Sequence, residues 1–429
     1  MVSQCPALLV SGASSGAGKT SLTAGLARLH ARAGRRVRVF KCGPDFLDPQ
    51  LHEAVTGAPC HTLDPWMCGE EEGRARLAAA AAEADLILVE GVMGLYDGQP
   101  STADIARRYG LPVLLVIDAS SIAQTFGALV HGLTTFQPGL AFQGVLANRT
   151  GSPAHAGLLE KSLPAGLRWC GAIERDEAAR LPERHLGLVA AAELSDVVPR
   201  IDRLADRLAL TSLGELPPPV SFAGHASTNS DSQPLRGRRI AVARDAAFCF
   251  LYPANLETLR ALGAELAFFS PLSREPLPPC DAVWLPGGYP ELHAAALSLN
   301  TALWEQLGAH AAASKPLVAE CGGMMVLFER LVGLDGAAHP MAGLLGGTTT
   351  MHPRLSALGP QEVSLPEGRL RGHTFHHSTC STPMEPVTRA TSPDGRAGEA
   401  VFRSNRVTAS YVHLYFASNP AATAQLFLR

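Results

Sequence analysis

Short apolar runs of strand length alternate with helical stretches along the first half of the chain. A helical stretch at residues 19–33 follows the first of these runs. The strand-like runs lie at residues 7–10, 37–40, 86–89, 113–117 and 143–146. This alternation is typical of βαβ units, in which helices cover a parallel sheet. The pattern therefore predicts an α/β domain in the first half of the chain.

The alternation stops at residues 214–237, which include three consecutive prolines at 217–219 and a polar run at 227–233. Proline-rich and polar segments without an apolar period are typical of linkers. We therefore expect one domain at residues 1–213 and a second at residues 238–429, joined by this segment.

The alternation resumes beyond the expected linker. Strand-like runs lie at residues 239–243, 266–269, 282–285 and 317–319, and a helical stretch lies at residues 253–262. No internal repeat of short period is visible. The second domain is therefore also predicted to be α/β.

The composition narrows the function classes. With 429 residues, a hydrophobic content of 46% and a net charge of -3, the chain has the composition of a globular protein without an expected nucleic-acid partner. Apolar segments such as residues 111–117 are strand-sized, and no export signal is recognisable, so we expect no membrane partner. The nine cysteines form no CxxC pair, which indicates a cytoplasmic, reducing location without a structural zinc site.

The first strand-like run leads into a loop of small residues that includes Gly16, Gly18, Lys19 and Thr20. Such a loop directs backbone N–H groups at phosphate oxygens, while the lysine supplies a charge and the threonine a hydroxyl for Mg²⁺. The spacing is one residue off the usual pattern, because the first glycine is Gly12. A flexible Gly/Ser loop is the alternative, but the order strand, loop, Gly-Lys-Thr and helix favours an ATP site.

Carboxylates follow two further strand-like runs. Glu90 ends the run at residues 86–89, where an α/β sheet places a carboxylate beside a bound metal-nucleotide complex. Lys41, Asp45 and Asp48 follow the run at residues 37–40. We interpret these carboxylates as candidate Mg²⁺ or substrate contacts; a solvated turn residue is the alternative for Glu90, and an Asx turn for one of the aspartates.

In the second domain, Cys321 follows the strand-like run at residues 317–319 and precedes two glycines and a predicted helix. A sharp strand-to-helix turn exposes a nucleophile, and a helix N-terminus lowers the pKa of a thiol. We therefore expect a nucleophilic Cys321 with a lowered pKa. A buried structural cysteine is the alternative, which the flanking glycines disfavour.

A thiol nucleophile needs a base, and His413 lies in a strand-like segment near the C-terminus. His373, His376 and His377 are the competing candidates. These three could bind a metal, but no further ligand follows at the required spacing, so a structural or substrate-facing role is favoured.

Gly287 and Gly288 follow another apolar run, and their backbone N–H groups could stabilise a tetrahedral oxyanion. A turn that merely ends the strand is the alternative. The presence of Cys321 in the same domain favours the oxyanion role.

With these motifs the chain resembles the cobyrinic acid a,c-diamide synthase family, including its hydrogenobyrinic acid form, over nearly its full length. The matching segments are residues 15–20, 40–49, 63–66, 90–98 and 181–187 and the segments around Cys321 and His413. The resemblance implies a dethiobiotin-synthetase-like P-loop ATPase domain, with helices on both faces of a parallel sheet, fused to a flavodoxin-like class I glutamine amidotransferase domain. It implies ATP- and glutamine-dependent amidation of the a and c acetate groups of a corrinoid in cobalamin biosynthesis.

The resemblance also implies residue roles, by position. Lys19 and Thr20 would hold ATP, and Asn148 would lie on its adenine side. Asp45, Asp48 and Glu90 would surround Mg²⁺, while Lys41, Leu47 and Asp97 would face the corrinoid. Cys321 and His413 would be the glutaminase nucleophile and base. A homodimer, the metal state of the corrinoid, the order of the two amidations and the ammonia path are left open.

One departure from the wider class I pattern concerns the base. Tyr415 stands two residues after His413, where a carboxylate is expected. The group that orients the His413 imidazole is therefore open.

Three other functions compete with this interpretation. Cobyric acid synthase is disfavoured by residues 40–49 and by the short chain, whereas Cys42 alone does not exclude nickel-sirohydrochlorin a,c-diamide synthase. A partitioning-type P-loop ATPase without synthetic activity is disfavoured by Ser15, where such proteins carry a second lysine, and by the Cys321 domain.

Overall fold

The computed structural model describes residues 2–181, 183–184, 187–188, 197–224 and 232–428. Parts of the matching segment at residues 181–187 and of the polar run at residues 227–233 lie outside these residues. The chain forms two compact units, Met1–Ser227 and Thr228–Arg429, called unit 1 and unit 2 below.

Unit 1 is an α/β fold built on a central parallel sheet. Its strands are β1 (Val2–Gly12), β2 (Val37–Cys42), β3 (His61–Leu63), β4 (Leu86–Glu90), β5 (Val113–Asp118), β6 (Phe142–Thr150), β7 (Trp169–Glu174), β8 (Glu183–Arg184), β9 (Gly187–Leu188) and β10 (Pro219–Ala223). Its helices are α1 (Lys19–Arg32), α2 (Leu47–Thr56), α3 (Glu70–Glu83), α4 (Thr102–Tyr109), α5 (Thr125–Thr135), α6 (Pro153–Ser162) and α7 (Val197–Leu208).

The order of the parallel strands is β3-β2-β4-β1-β5-β6-β7. The central strands are apolar because both faces of the sheet are covered; every residue of β4, for example, is buried. One core cluster packs α3, α4 and α5 on one face, and another packs α1, α2 and α7 on the other. The predicted parallel sheet with helices on both faces is confirmed, and the C-terminal ends of β1, β2, β4 and β6 meet at one edge.

Part of the expected linker is a strand. β10 pairs antiparallel with the first residues of β1, with Val2 opposite Ala223 and Pro6 opposite Pro219. Pro219 is tolerated because it begins an edge strand, where its missing N–H interrupts no continuous ladder. Unit 1 therefore extends beyond the predicted domain boundary at residue 213.

Unit 2 contains fourteen strands and five α-helices within the described residues. The strands are β11 (Arg239–Ala243), β12 (Glu265–Phe269), β13 (Ala282–Leu285), β14 (Leu317–Glu320), β15 (Phe328–Val332), β16 (Ala338–Pro340), β17 (Leu345–Met351), β18 (Ala357–Leu365), β19 (Gly368–His376), β20 (Ser378–Ser381), β21 (Thr388–Thr391), β22 (Ala397–Ser404), β23 (Val407–Ser410) and β24 (His413–Leu414). The helices are α8 (Pro253–Ala261), α9 (Ala294–Ser298), α10 (Thr301–Ala312), α11 (Gly322–Met325) and α12 (Pro420–Leu428).

The strand order of unit 2 confirms the flavodoxin-like prediction. The parallel part of the main sheet runs β12-β11-β13-β14-β23, which is the 2-1-3-4-5 order of that fold. The strand order reverses between β11 and β13, where such sheets bind ligands at their C-terminal ends. The rest of the main sheet has the order β22-β21-β18-β19-β24. It is joined to this core by antiparallel pairing of β22 with β23.

Candidate active sites

The phosphate-binding loop joins β1 to α1. Gly18 has a left-handed φ of 94°, and a Cβ there would lie 2.3 Å from Asn148 Nδ2. Asn148, near the end of β6, donates from Nδ2 to the Ala17 carbonyl (2.9 Å). The loop therefore requires glycine at this position, and Asn148 holds the loop from β6, which lies two strands from β1 in the sheet.

Lys19, the first residue of α1, is buried in this loop. Its Nζ donates to the Ser14 carbonyl at 2.9 Å. Burial lowers the pKa of Lys19, and the nearby Lys41 ammonium lowers it further. The ammonium is thus held where phosphate oxygens can replace a backbone carbonyl as its partner.

Four polar side chains meet beside the loop and form a buried cluster, called the carboxylate centre below. The Thr20 hydroxyl donates to Glu90 Oε1 (2.6 Å) and lies 3.2 Å from Asp48 Oδ2. Lys41 Nζ contacts Asp48 Oδ2 at 2.7 Å and Glu90 Oε1 at 2.8 Å. The cluster is assembled from the C-terminal ends of β2 and β4 and the first turns of α1 and α2.

The charges of the carboxylate centre depend on each other. Burial opposes the charge on Lys41, but Glu90 and Asp48 outweigh it and raise the pKa of Lys41 well above its usual value. Burial also opposes the charge on Glu90, yet Lys41 and His52 keep its pKa well below the usual range. Burial raises the pKa of Asp48, and the Glu90 charge raises it further. Lys41 and Glu90 are therefore an ion pair.

His52 belongs to this centre, although the sequence interpretation assigned it no role. It is fully buried, and its Nε2 donates to Glu90 Oε2 at 2.5 Å. The available signal was its position four residues after Asp48 on α2, which places both side chains on one helix face.

The predicted metal-binding residues divide into two groups. Thr20, Asp48 and Glu90 converge and present the oxygen donors that Mg²⁺ prefers. Asp45 instead accepts hydrogen bonds through Oδ1 from the amides of Leu47 (2.8 Å) and Asp48 (3.1 Å), which is the Asx turn given above as the alternative to a metal contact. Within the described residues, no group of three or more His, Cys, Asp or Glu side chains could hold a metal ion. A hydroxyl and two carboxylates nevertheless fit a magnesium ion that takes its other ligands from nucleotide phosphates.

The two remaining substrate candidates lie near this edge. Asp97 Oδ2 accepts from the Gly94 amide at 2.9 Å, and its charge acts on Lys19. Leu47 begins α2 and is half-buried. Leu47 thus lies next to Asp48 of the carboxylate centre, and Asp97 lies near the lysine of the loop.

A cavity of about 580 Å³ opens from the phosphate-binding loop. Gly16, Gly18, Lys19, Thr20 and Asn148 are among the residues that line it. The other lining residues include the apolar Ile173, Leu181 and Leu204 and the basic Arg175, Arg180 and Arg207. Its size is that of a small-molecule site. The sequence interpretation missed these arginines, because nothing in their local sequence distinguishes them from other surface arginines.

In unit 2, Cys321 lies on a strained turn between β14 and α11. Its φ is 47°, a conformation that non-glycine residues rarely adopt. Its amide donates to the Ser410 carbonyl (2.8 Å) at the end of β23. A Cβ on Gly323 would lie 2.0 Å from the Leu285 carbonyl oxygen, so only glycine lets the turn approach β13. This is the predicted nucleophile geometry.

The expected lowering of the Cys321 pKa is wrong. Burial raises the pKa of the thiol, and the charge of Glu291 raises it further. The helix that follows has only four residues, so its dipole is weak. Cys321 therefore needs a base that removes its proton during the reaction.

His413 is held close to the Gly287–Gly288 loop. Its ring stacks on His373, with centroids 5.0 Å apart, and meets the edge of Phe250 at 5.9 Å. A Cβ on Gly287 would lie 2.2 Å from His413 Cε1, and one on Gly322 would lie 3.1 Å from the Gly288 amide nitrogen. The loop after β13 thus contacts both the His413 ring and the turn that carries Cys321.

Burial lowers the pKa of His413 well below its usual value, so the imidazole is neutral at physiological pH. A neutral imidazole is the form that accepts a proton. His413 therefore has the protonation state that a general base requires.

The competing histidines have other partners. His373 Nδ1 lies 2.9 Å from the Tyr252 hydroxyl. His376 lies between the Ser378 carbonyl (2.8 Å) and the Glu399 carboxylate (3.0 Å), and it stacks on Tyr411. Neither arrangement is a metal site.

Two glutamates of unit 2, the buried Glu320 and the partly buried Glu291, were also missed. Glu320, directly before Cys321, accepts from the Leu414 amide (3.0 Å) and from Trp284 Nε1 (3.3 Å). Burial raises the pKa of Glu320 to about 8 and that of Glu291 to about 7. For Glu320, the available signal was a carboxylate at the end of the otherwise apolar strand β14.

Two further structural facts concern the helices and the cysteines. In the part of the chain that the structure describes, no helix is both long and apolar enough to cross a membrane. All nine cysteines are free thiols.

The fold and the two sites define a class of protein. A P-loop unit with a nucleotide-sized cavity is fused to a flavodoxin-like unit in which a cysteine turn, a paired-glycine loop and a buried histidine meet. Residues 8–189 match the family described as "CobQ/CobB/MinD/ParA nucleotide binding domain". Residues 239–421 match the "CobB/CobQ-like glutamine amidotransferase domain". The protein is therefore a nucleotide-binding glutamine amidotransferase.

Full-length relatives refine this class. The chain is 59% identical over 424 residues to hydrogenobyrinate a,c-diamide synthase of Stutzerimonas stutzeri, covering 98% of each chain. It is 57% identical to the enzyme of that name from Pseudomonas aeruginosa, covering 99% of this chain and 97% of the relative. It is 47% identical to cobyrinate a,c-diamide synthase of Herminiimonas arsenicoxydans, covering 98% and 96%. The chain belongs to the hydrogenobyrinate and cobyrinate a,c-diamide synthase family.

Proposed function

We propose that this protein uses ATP and glutamine to convert the a and c acetate carboxylates of hydrogenobyrinic acid to amides. The observation that carries the proposal is that one chain combines a carboxylate centre at a phosphate-binding loop with a cysteine turn and a neutral histidine. The two relatives at 59% and 57% identity are named for the hydrogenobyrinate substrate, and the relative at 47% for the cobalt form. This difference favours the metal-free corrinoid.

Unit 1 activates the carboxylate in this proposal. A carboxylate oxygen attacks the γ-phosphorus of ATP, ADP leaves, and an acyl phosphate forms. Lys19 neutralises charge on the transferred phosphoryl group, and Lys41 is the lysine of the carboxylate centre. Bound Mg²⁺ would neutralise the β- and γ-phosphates, held by Thr20, Asp48 and Glu90. Ammonia then attacks the acyl carbon and phosphate leaves, so each amidation uses one ATP and one glutamine.

Unit 2 supplies the ammonia. His413 removes the Cys321 proton as the sulfur attacks the glutamine amide carbon, and the oxyanion is met by backbone N–H groups of the Gly287–Gly288 loop. The protonated imidazole returns the proton to the leaving ammonia, which leaves a glutamyl thioester on Cys321. Water hydrolyses the thioester to glutamate and the free thiol. The free thiols fit the cytoplasm that we propose as its location.

The two half-reactions can be tested separately with Cys321→Ala. The variant should lose glutamine-dependent amidation by at least about a hundredfold and keep amidation at high ammonia concentration, because the acyl-phosphate step does not need the thiol. Product is followed by mass spectrometry with hydrogenobyrinic acid and with cobyrinic acid as substrates.

Cys280→Ala is the matched control, since Cys280 is a half-buried thiol of the same unit that the proposed chemistry does not use. It should retain both activities. Equal loss of both activities in Cys321→Ala would contradict the proposed division between the two units.

A further inference from the structure

The residue that follows the proposed base has both of its backbone groups held by side chains. The Leu414 amide donates to Glu320 Oε1 (3.0 Å), and the Leu414 carbonyl accepts from Asn255 Nδ2 (2.7 Å). Asn255 Oδ1 also accepts from the Phe416 amide (2.7 Å). The backbone on the C-terminal side of His413 is therefore fixed by two buried side chains from other elements.

The position of β24 explains why side chains bind the backbone groups of Leu414. β24 is the last strand of its sheet, and within the described residues it pairs only with β19, where His413 lies opposite His373. Backbone groups alternate across an antiparallel strand, so the Leu414 groups point away from β19. An edge strand leaves such groups without ladder partners. Glu320 and Asn255 replace the missing neighbouring strand.

Glu320 differs from Asn255 in its place in the chain. Glu320 directly precedes Cys321 in the sequence. The residue whose carboxyl binds the Leu414 amide is therefore linked to the nucleophile by a single peptide bond. Its second oxygen accepts from Trp284 Nε1 (3.3 Å), and its side chain is almost completely buried. The carboxyl is thus fixed at both oxygens.

We propose that Glu320 is a positioning residue that sets the distance between Cys321 and the His413 imidazole by holding the Leu414 amide. Tyr415 occupies the position where a carboxylate that orients the imidazole is expected, and Glu320 helps to place His413 in a different way. Glu320 acts on the backbone of β24 and not on the imidazole. The inference rests on the proposed roles of Cys321 and His413.

The proposal requires acceptors at both oxygens of residue 320. In Glu320→Gln, the side chain keeps its size, but its amide NH₂ faces either the Leu414 amide or Trp284 Nε1, and two donors repel each other. We expect kcat for glutamine hydrolysis to fall about ten- to a hundredfold while KM changes less than about threefold, because a misplaced base affects proton transfer more than glutamine binding. Ammonia-dependent amidation should stay within about twofold of the parent rate.

A second substitution tests whether repulsion between two donors causes the loss of kcat in Glu320→Gln. Trp284→Phe removes the Nε1 donor and keeps an aromatic ring, so in the double variant Glu320→Gln/Trp284→Phe the glutamine oxygen can accept from Leu414 while its NH₂ meets no donor. We expect the double variant to recover the glutaminase kcat of Trp284→Phe alone. A buried glutamate with only a structural role would instead give losses that accumulate.

The outcomes separate this inference from the proposed function. A parent enzyme that hydrolyses no glutamine would overturn the proposed function and this inference with it. If the parent hydrolyses glutamine and Glu320→Gln has a kcat within twofold of the parent value, the inference alone is overturned. A double variant with a lower kcat than Glu320→Gln would also overturn it. If Glu320→Gln does not fold, the Trp284→Phe variant, which keeps the Leu414 bond, should retain kcat within about threefold, and a larger fall with normal ammonia-dependent activity would also overturn it.

Discussion

At the scale of single residues, the placement of His413 depends on the absence of one carbon atom. A Cβ on Gly287 would lie 2.2 Å from His413 Cε1 and 2.9 Å from its Nδ1. The ring is buried between His373 and Phe250. The ring therefore has little space to move away from a methyl group added at residue 287.

Gly287→Ala should displace the imidazole and reduce glutamine hydrolysis by at least about a hundredfold, because a displacement of about 1 Å costs that much in proton transfer. Ammonia-dependent amidation should persist. Gly308→Ala is the control, since its Cβ would meet its nearest neighbour only at 4.0 Å. Unchanged glutaminase activity in Gly287→Ala would place the base elsewhere.

Residue identity predicted only part of the two sites. Lys19, Thr20, Asp48, Glu90 and Cys321 were predicted because they end strands or begin helices in recognisable motifs, and His413 because it lies in a strand-like segment near the C-terminus. His52 and Glu320 were missed, because their roles depend on partners that only the fold brings near. The thiol pKa was predicted in the wrong direction, since burial cannot be read from the local sequence.

At the scale of elements, the carboxylate centre connects α2 to the central sheet. Lys41, near the end of β2, is a buried cation of this centre, and it contacts Asp48 of α2 and Glu90 of β4. Removing one partner of a buried ion pair leaves the other charges uncompensated.

Lys41→Met should therefore lower the free energy of unfolding of unit 1 by about 3–5 kcal/mol in the absence of nucleotide. Urea unfolding followed by circular dichroism checks this value. Lys161→Met, on the last turn of α6, is the control and should change stability by less than about 0.5 kcal/mol. Equal stability of the two variants would contradict a buried ion pair at Lys41.

The contact between β14 and β24 predicts a pH dependence. Burial raises the pKa of Glu320 from 4.5 to about 8, so the folded state binds this proton more tightly than the unfolded state. The contribution of Glu320 to stability is fully present below pH 4.5 and is lost as the pH rises towards 8.

The free energy of unfolding of the parent, relative to Glu320→Gln, should accordingly fall by up to about 1.4 kcal/mol per pH unit between about pH 5 and 8. Because Glu291 is present in both proteins, its own titration cancels in this difference. Denaturant unfolding of both proteins at several pH values measures it. A difference that does not vary with pH would show that Glu320 is not a buried carboxyl.

The predicted alternation of strands and helices was sufficient for the two α/β units, because apolar runs of strand length become buried in parallel sheets. It was not sufficient for β10, where the proline-rich sequence indicated a linker. The strands from β15 to β22 were not predicted either. Their residues alternate only weakly between buried and exposed positions, so periodicity gave little signal.

At the scale of the whole molecule, the two units explain why one chain contains both sites. Ammonia is mostly ammonium at neutral pH and reacts poorly with an acyl phosphate, which water also hydrolyses. Making ammonia within the same protein that holds the acyl phosphate favours amidation over hydrolysis. We therefore expect glutamine use and ATP use to be coupled.

The most direct test supplies the purified protein with ATP, Mg²⁺, hydrogenobyrinic acid and glutamine labelled in its amide nitrogen. Mass spectrometry should find a product with two labelled amides, and one ADP and one glutamate should form for each amide. ATP or glutamine consumed without labelled amide in the corrinoid, with either hydrogenobyrinic or cobyrinic acid, would contradict the account.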